Sequence, residues 1–137
     1  MNPLDFLDTA ERLIANNPTE ADIRSAISRS YYAVYHLMLS WWRSNDPFPD
    51  YKDRGHAKIQ MALWNVGISA VKAFSVELKL LNGDWRKADY ELALTFDVES
   101  GRTILERARL AISTFDGLDK IALSEGIEDY LRKTNQI

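Results

Sequence analysis

Apolar residues recur along this chain every three or four positions, the spacing that places them on one side of an α-helix. The longest such stripe lies in a helix predicted from Thr19 to about Arg43. Its members are Ile23, Ile27, Tyr31, Val34, Met38 and Trp41. No window alternates polar and apolar residues over the length of a strand. The pattern therefore predicts an all-α fold.

The remaining helices are predicted from the same spacing. Pro3 suits the first position of a helix that ends near Asn16, because its missing amide hydrogen would be unpaired there in any case. Residues 45–50 hold two prolines and are predicted to be a loop. Helical spacing resumes at about 59–66, continues after Gly67 to 81 and returns near 98–115. A tail over 118–133 predicts a last, weaker helix carrying Ile121, Ile127 and Leu131.

Residues at the predicted helix ends support these boundaries. Thr19 with Asp22 three positions later is a variant of the capping box, and Asp97 is a candidate N-cap. Asn82 and Gly83 predict a helix stop, so 85–90 is expected to be a connection or a short helix. The whole pattern predicts an up-and-down antiparallel bundle of four to five helices, with a core over about 3–116 and a helical tail over about 117–134.

Composition narrows the class of protein. A length of 137 residues, 46% of them hydrophobic, is typical of one globular domain. A net charge of −3 argues against non-specific coating of nucleic acid, which needs an excess of Lys and Arg. The absence of cysteine excludes disulfides and thiolate ligands, and two histidines without metal-ligand spacing argue against a zinc site. We therefore expect neither metal nor cofactor.

The start of the chain lacks the basic and apolar segments of a signal peptide. No stretch approaches the roughly 18 apolar residues that a membrane span requires. These observations predict a cytoplasmic protein without a membrane partner.

A second stripe of the long helix carries candidate chemistry. It contains Asp22, Ser25, Arg29, Tyr32, His36 and Ser40. Arg29 and His36 are seven positions apart, so they point the same way about 10.5 Å apart along the axis. A guanidinium can bind a phosphate, and an imidazole can move a proton near neutral pH. Together they are candidate catalytic residues for cleaving a phosphodiester. In the alternative interpretation Arg29 pairs with a carboxylate such as Asp89, and His36 is an interface residue.

Three segments of the chain resemble one protein family. The segment SRSYYAVYH, residues 28–36, resembles the second-helix signature of the HEPN family (higher eukaryotes and prokaryotes nucleotide-binding). The segment RKADY, residues 86–90, resembles the family's Arg-x-x-Ala-Asp-Tyr element, and residues 106–109 resemble its last core helix. His56 stands where small members often carry a histidine. The resemblance covers roughly residues 4–115.

The resemblance implies a helical bundle, usually dimeric, linked to nucleotide or RNA metabolism. Many members are toxins, defence ribonucleases or partners of small nucleotidyltransferases. Ribonucleolytic members carry Arg and His separated by four to six residues, and six residues separate Arg29 from His36. Those members place the motif near the start of a later helix, whereas here it lies within the second.

We therefore expect a homodimeric, non-catalytic module in a toxin–antitoxin or defence setting. It would bind a nucleotide, RNA, an antitoxin or a nucleotidyltransferase. The alternative is a metal-independent ribonuclease that uses Arg29 and His36.

Further binding candidates surround these residues. They are Tyr32, Lys52, Arg54, His56, Lys58, Arg86, Asp89 and Tyr90. The basic run around His56 could hold a phosphate at a helix start, or it could be a solvated helix start with a capping histidine. Arg86 and Asp89 could instead form a structural lock. Trp42 lies at the edge of the core stripe and is a candidate for a subunit interface.

Overall fold

A computed structural model describes residues 1–44 and 55–137 of the chain. Over these ranges it contains six helices and no strand. The helices are α1 (Asp5–Ala15), α2 (Glu20–Ser44), α3 (His56–Trp64), α4 (Ser69–Tyr90), α5 (Val98–Asp116) and α6 (Lys120–Lys133). The all-α prediction is confirmed, and the expected count of four to five helices is corrected to six. The loop predicted at 45–50 lies outside the described residues.

The two predicted N-terminal caps, at Thr19 and Asp97, are formed by the expected side chains. The backbone N–H of Thr19 donates to Asp22 Oδ2 at 2.9 Å, and the N–H of Asp22 donates to Thr19 Oγ1 at 3.1 Å. This is the reciprocal pattern of a capping box. Asp97 Oδ1 accepts from the N–H of Ser100 at 2.8 Å. The cap of α6 was not predicted: Asp119 accepts from the backbone of its first turn.

The helix stop predicted at Gly83 is wrong, because α4 runs unbroken to Tyr90. Leu81 and Ala88 are both buried and lie seven positions apart, so the apolar stripe of α4 continues past the glycine. An internal glycine costs a helix only about 1 kcal/mol relative to alanine. Burial of the continuing stripe outweighs that cost, and residues 85–90 form the last turns of α4.

Replacing Gly83 with Ala is expected to stabilise the protein by about 0.5–1 kcal/mol, because alanine favours a helix interior and restricts the unfolded chain. A Cβ at this position would meet no heavy atom within 4 Å. Urea denaturation would measure the change. Loss of stability would show that the helix stops here after all.

Gly126→Ala is the matched control for this measurement. A Cβ on Gly126 would collide with the side chain of Val66 and lie 3.2 Å from its carbonyl oxygen. The close approach between α6 and the turn that follows α3 therefore requires glycine. We expect this substitution to gain no stability, although it offers the same helix preference.

α2 is the central helix, since it packs against α1, α4 and α5. α3 packs against α4, and α6 lies against α3. The buried core draws residues from all six helices. Its largest fully buried side chains include Tyr31, Phe74, Ile27, Met38, Ile59, Leu63, Leu81, Leu123, Ile127 and Leu131. None of the described helices combines the length and apolar character needed to cross a membrane.

The structure reverses the predicted burial of the two tryptophans of α2. Trp42 is only 2% exposed and belongs to the core, whereas Trp41 is half-buried and meets the ring of Phe115 edge-on at 6.0 Å. The buried sector of α2 is wider than a single stripe because three helices surround it. Trp42 is therefore a core residue, and the interface prediction based on it is corrected.

Candidate functional site

Aromatic and imidazole rings from three helices converge beside α2. We call this group the aromatic–histidine cluster. Its members are Tyr31, Tyr32, Tyr35 and His36 of α2, His56 of α3 and Trp85 of α4. The α2 members form two neighbouring pairs one turn of helix apart, a spacing that keeps their side chains on adjacent sides of the helix. Trp85 completes the cluster only because α4 continues past Gly83.

The inner part of the cluster is built around His56. Its ring stacks on Tyr35 with centroids 4.1 Å apart and an angle of 12°. Trp85 stacks on both His56 and Tyr31, at 5.4 Å and 5.2 Å. The sequence placed His56 in a basic run at a helix start, and it gave no sign that the ring would pack against α2 and α4.

A chain of hydrogen bonds links Asn82, Tyr31 and His56 in this inner part. Asn82 Nδ2 donates to Tyr31 Oη at 3.0 Å, and Tyr31 Oη is bonded to His56 Nδ1. Tyr31 Oη therefore accepts from Asn82, and its own proton is available to His56 Nδ1. Burial raises the pKa of Tyr31, while burial and the nearby Arg86 lower the pKa of His56. The two side chains are therefore neutral near pH 7.

The outer part of the cluster contains His36 and borders Arg29, the two candidate catalytic residues. We call Phe6, Arg29, Tyr32 and His36 the Arg29–His36 face. The Arg29 guanidinium lies 5.5 Å from the ring centre of Phe6 and 5.6 Å from that of Tyr32. His36 stacks on the same two rings, at 5.4 Å and 5.6 Å. All four side chains are half-buried, so part of each faces outward.

The titration of this face follows from its partial burial. Burial and the charge of Arg43 lower the pKa of His36. Burial raises the pKa of Tyr32, the negative charge of Asp89 adds to that increase, and Arg29 opposes it. Near neutral pH the face therefore presents one cation, one neutral imidazole and one phenol.

The predicted partner of Arg29 is wrong. Asp89 Oδ2 accepts from Trp85 Nε1 at 2.7 Å and from Ser28 Oγ at 3.4 Å instead. None of the ion pairs between described residues includes Arg29. Ser28 faces α4, and the next residue on α2 is turned by about 100° toward α1. Arg29 therefore stacks on Phe6, which the sequence reasoning did not single out.

Arg24 joins α2 to the C-terminal end of α4. Its guanidinium donates to the carbonyl oxygens of Ala88 at 2.9 Å and Glu91 at 3.2 Å, and also to that of Leu94. The side chain is only 11% exposed. These bonds satisfy carbonyl groups at the C-terminal end of α4 and just beyond it. Sequence reasoning missed this role, and the spacing of Arg24 from Glu20 signalled only a local pair.

The other predicted binding residues are scattered around the cluster. Arg86 is exposed on α4 near His56, and no ion pair joins it to Asp89. Tyr90 is 74% exposed and meets the edge of Trp85 at 6.4 Å. Lys58 is exposed on α3. Lys52 and Arg54 lie outside the described residues. The proposed basic site around His56 is therefore described only in part.

The cluster offers aromatic surfaces and neutral imidazole nitrogens, and the adjoining Arg29 adds a cationic donor. In the part of the chain that the structure describes, no three His, Cys, Asp or Glu side chains are grouped to hold a metal ion. Comparison with protein-family models, with curated proteins and with solved structures found no match to this chain. Function is therefore inferred from the arrangement and chemistry of the residues themselves.

Proposed function

We propose that this chain is an HEPN-like module that binds RNA or a nucleotide, without cleaving it, through the Arg29–His36 face. The proposal rests on the contacts of the Arg29 guanidinium. Its guanidinium is held by two aromatic rings and has no carboxylate from the described residues beside it. Stacking leaves the N–H groups at the edge of the guanidinium plane able to donate to phosphate oxygens.

The neighbours of Arg29 suit the rest of a nucleotide. The partly exposed rings of Tyr32 and His36 offer surfaces on which an unpaired base can stack. Base stacking on an aromatic side chain contributes about 1–3 kcal/mol and tolerates any base. The net charge of −3 opposes long contacts with a phosphate backbone. A short single-stranded segment, or one nucleotide, fits this face better than a duplex.

The setting of this activity rests on the family resemblance of residues 28–36 and 86–90. It supports a homodimer with an up-and-down antiparallel order of helices, acting in the cytoplasm in toxin–antitoxin or defence systems. An antitoxin or a small nucleotidyltransferase would be its protein partner. Sedimentation of the purified chain tests the dimer directly.

A metal-independent ribonuclease is the second candidate, and the titration of His36 favours it. Because its pKa is lowered, the imidazole is neutral near pH 7 and can accept a proton. His36 would take the proton of a ribose 2′-hydroxyl, whose oxygen would bond to the adjacent phosphorus and displace the 5′-oxygen of the next nucleotide, which takes a proton from water. Arg29 would stabilise the charge that develops on the phosphate.

Arg29→Gln tests the proposed binding. We expect affinity for a fluorescently labelled single-stranded RNA to fall roughly 10- to 100-fold, the value of one charged hydrogen-bond contact. The melting temperature should change little, since the cation–π contacts contribute only about 0.5–1 kcal/mol. Arg102→Gln is the control, because Arg102 is an exposed arginine of α5 paired with Glu99 at 3.0 Å.

The same RNA separates the two candidate functions. RNA that remains intact after incubation with a chelating agent supports the binding module. Cleavage that disappears in His36→Asn would favour the ribonuclease. If the parent protein does not bind RNA, or if Arg29→Gln binds it as well as the parent, the Arg29–His36 face is not the binding site.

A further inference from the structure

A half-open groove of about 540 Å³ runs between α3 and α4. The side chains along its two walls include His56, Gln60, Trp64, Lys79, Asn82 and Arg86. Gln60 Nε2 donates to the carbonyl oxygen of Ser75 at 3.0 Å and ties the two walls together. No residue of the Arg29–His36 face lines this groove. Its volume lies within the roughly 300–1,000 Å³ typical of small-molecule sites.

Acidic and basic side chains of α4 lie on different sides of the helix. The carboxylates of Glu77 and Asp84 face Arg107 of α5, at 3.8 Å and 3.3 Å. Lys79 and Arg86 line the groove instead. Within the described ranges, no carboxylate forms an ion pair with either of them. The groove is therefore a locally positive site in a chain whose net charge is −3, and it favours an anion.

One end of the groove is apolar. Met61 and Trp64 line it and are 54% and 45% exposed. Lys72 Nζ lies 4.3 Å from the ring centre of Trp64 and keeps this end cationic at its rim. Along α3, His56 and Trp64 are separated by about 12 Å. A ligand that spans this distance would place its apolar part against the side chains of Met61 and Trp64.

The other end carries the imidazole of His56. Tyr31 bonds Nδ1, so Nε2 is the ring nitrogen left for a ligand, and it is a donor in the tautomer whose Nδ1 accepts from Tyr31. Arg86, on the facing wall, adds a guanidinium that can bind a carboxylate with two parallel bonds. We propose that the groove binds a medium-chain aliphatic carboxylate, with its head group at His56 and Arg86 and its chain over Met61 and Trp64.

Methyl NMR with ¹³C-methionine tests this site, because the three methionines lie in different places. Met61 lines the groove, Met38 is fully buried, and Met1 is at the exposed N-terminus. As decanoate is added, the chemical shift of the Met61 methyl group should change until the site is saturated. The Met1 signal should not move. Met61→Leu identifies the signal. Octanoate should bind roughly 15-fold more weakly, since each buried methylene contributes about 0.8 kcal/mol, or fourfold.

Charge variants test the head-group end. Arg86→Gln and Lys79→Gln should each weaken decanoate binding, Arg86→Gln by at least roughly tenfold. Lys87→Gln removes the same charge from the exposed position next to Arg86 on α4, outside the groove, and should bind normally. The site does not exist if Met61 does not respond, if uncharged decanol binds equally, or if Lys87→Gln weakens binding as much as Arg86→Gln. The RNA results do not affect this test, since the two sites share no residue.

Discussion

Leu123→Ala is expected to lower the free energy of unfolding by about 2–5 kcal/mol, the loss of buried methyl groups plus the cavity that remains. Leu123 is completely buried in α6. Ile127 and Leu131 continue the same buried stripe and are 1% and 0% exposed. Domains of this size are typically stable by about 5–15 kcal/mol, so the substitution would remove a large fraction of the total. Urea denaturation would measure it.

Ile121→Ala is the matched control on the same helix. Ile121 is 74% exposed, so its truncation should change stability by less than about 0.5 kcal/mol. Equal, small effects of the two substitutions would mean that α6 is not packed on the core in solution. A large effect of Leu123→Ala alone would show that the C-terminal segment stabilises the bundle rather than extending from it as a weak tail.

Arg24→Ala should destabilise the protein by at least roughly 1.5–3 kcal/mol, the value of a hydrogen bond to a charged group. The guanidinium bonds several carbonyl groups at the end of α4 and in the segment that follows, and its side chain is 11% exposed. The ion pair with the half-exposed Glu20 adds little to this loss. Arg24→Lys should show most of the same loss of stability, because an ammonium group lacks the planar guanidinium geometry that reaches several acceptors.

Arg29→Ala, five positions further along α2, is the control for Arg24. It removes only stacking on Phe6 and Tyr32, worth about 0.5–1 kcal/mol. A larger melting-temperature loss for Arg29→Ala than for Arg24→Ala would reverse the roles assigned to the two arginines. The expected order leaves Arg29 as the arginine whose loss affects binding rather than folding.

The sequence by itself determined the features that depend on residues three or four positions apart. The helical spacing of apolar residues predicted the all-α class, because one turn of helix brings such residues to one side. Thr19 and Asp22 form their capping box, and Asp97 caps α5 as predicted. The shared direction of Arg29 and His36 also followed from the helix repeat, and both contact Phe6.

The tertiary structure decided which neighbours each side chain meets. Gly83 stays helical because the stripe from Leu81 to Ala88 is buried by other helices, a gain that local propensity does not contain. Trp42 is buried because three helices surround α2, which a single apolar stripe does not reveal.

The partners of the charged and polar groups were decided in the same way. Arg24 bonds the carbonyl of a residue 64 positions away, and Tyr31 bonds a histidine 25 positions away. Asp89 bonds Trp85 and Ser28 rather than Arg29. Helix periodicity gives the direction of a side chain around its own axis, but the rotation and contact of two packed helices determine which groups come within hydrogen-bond distance. That is why the Arg29–His36 pair could be predicted while its surroundings, and the structural role of Arg24, could not.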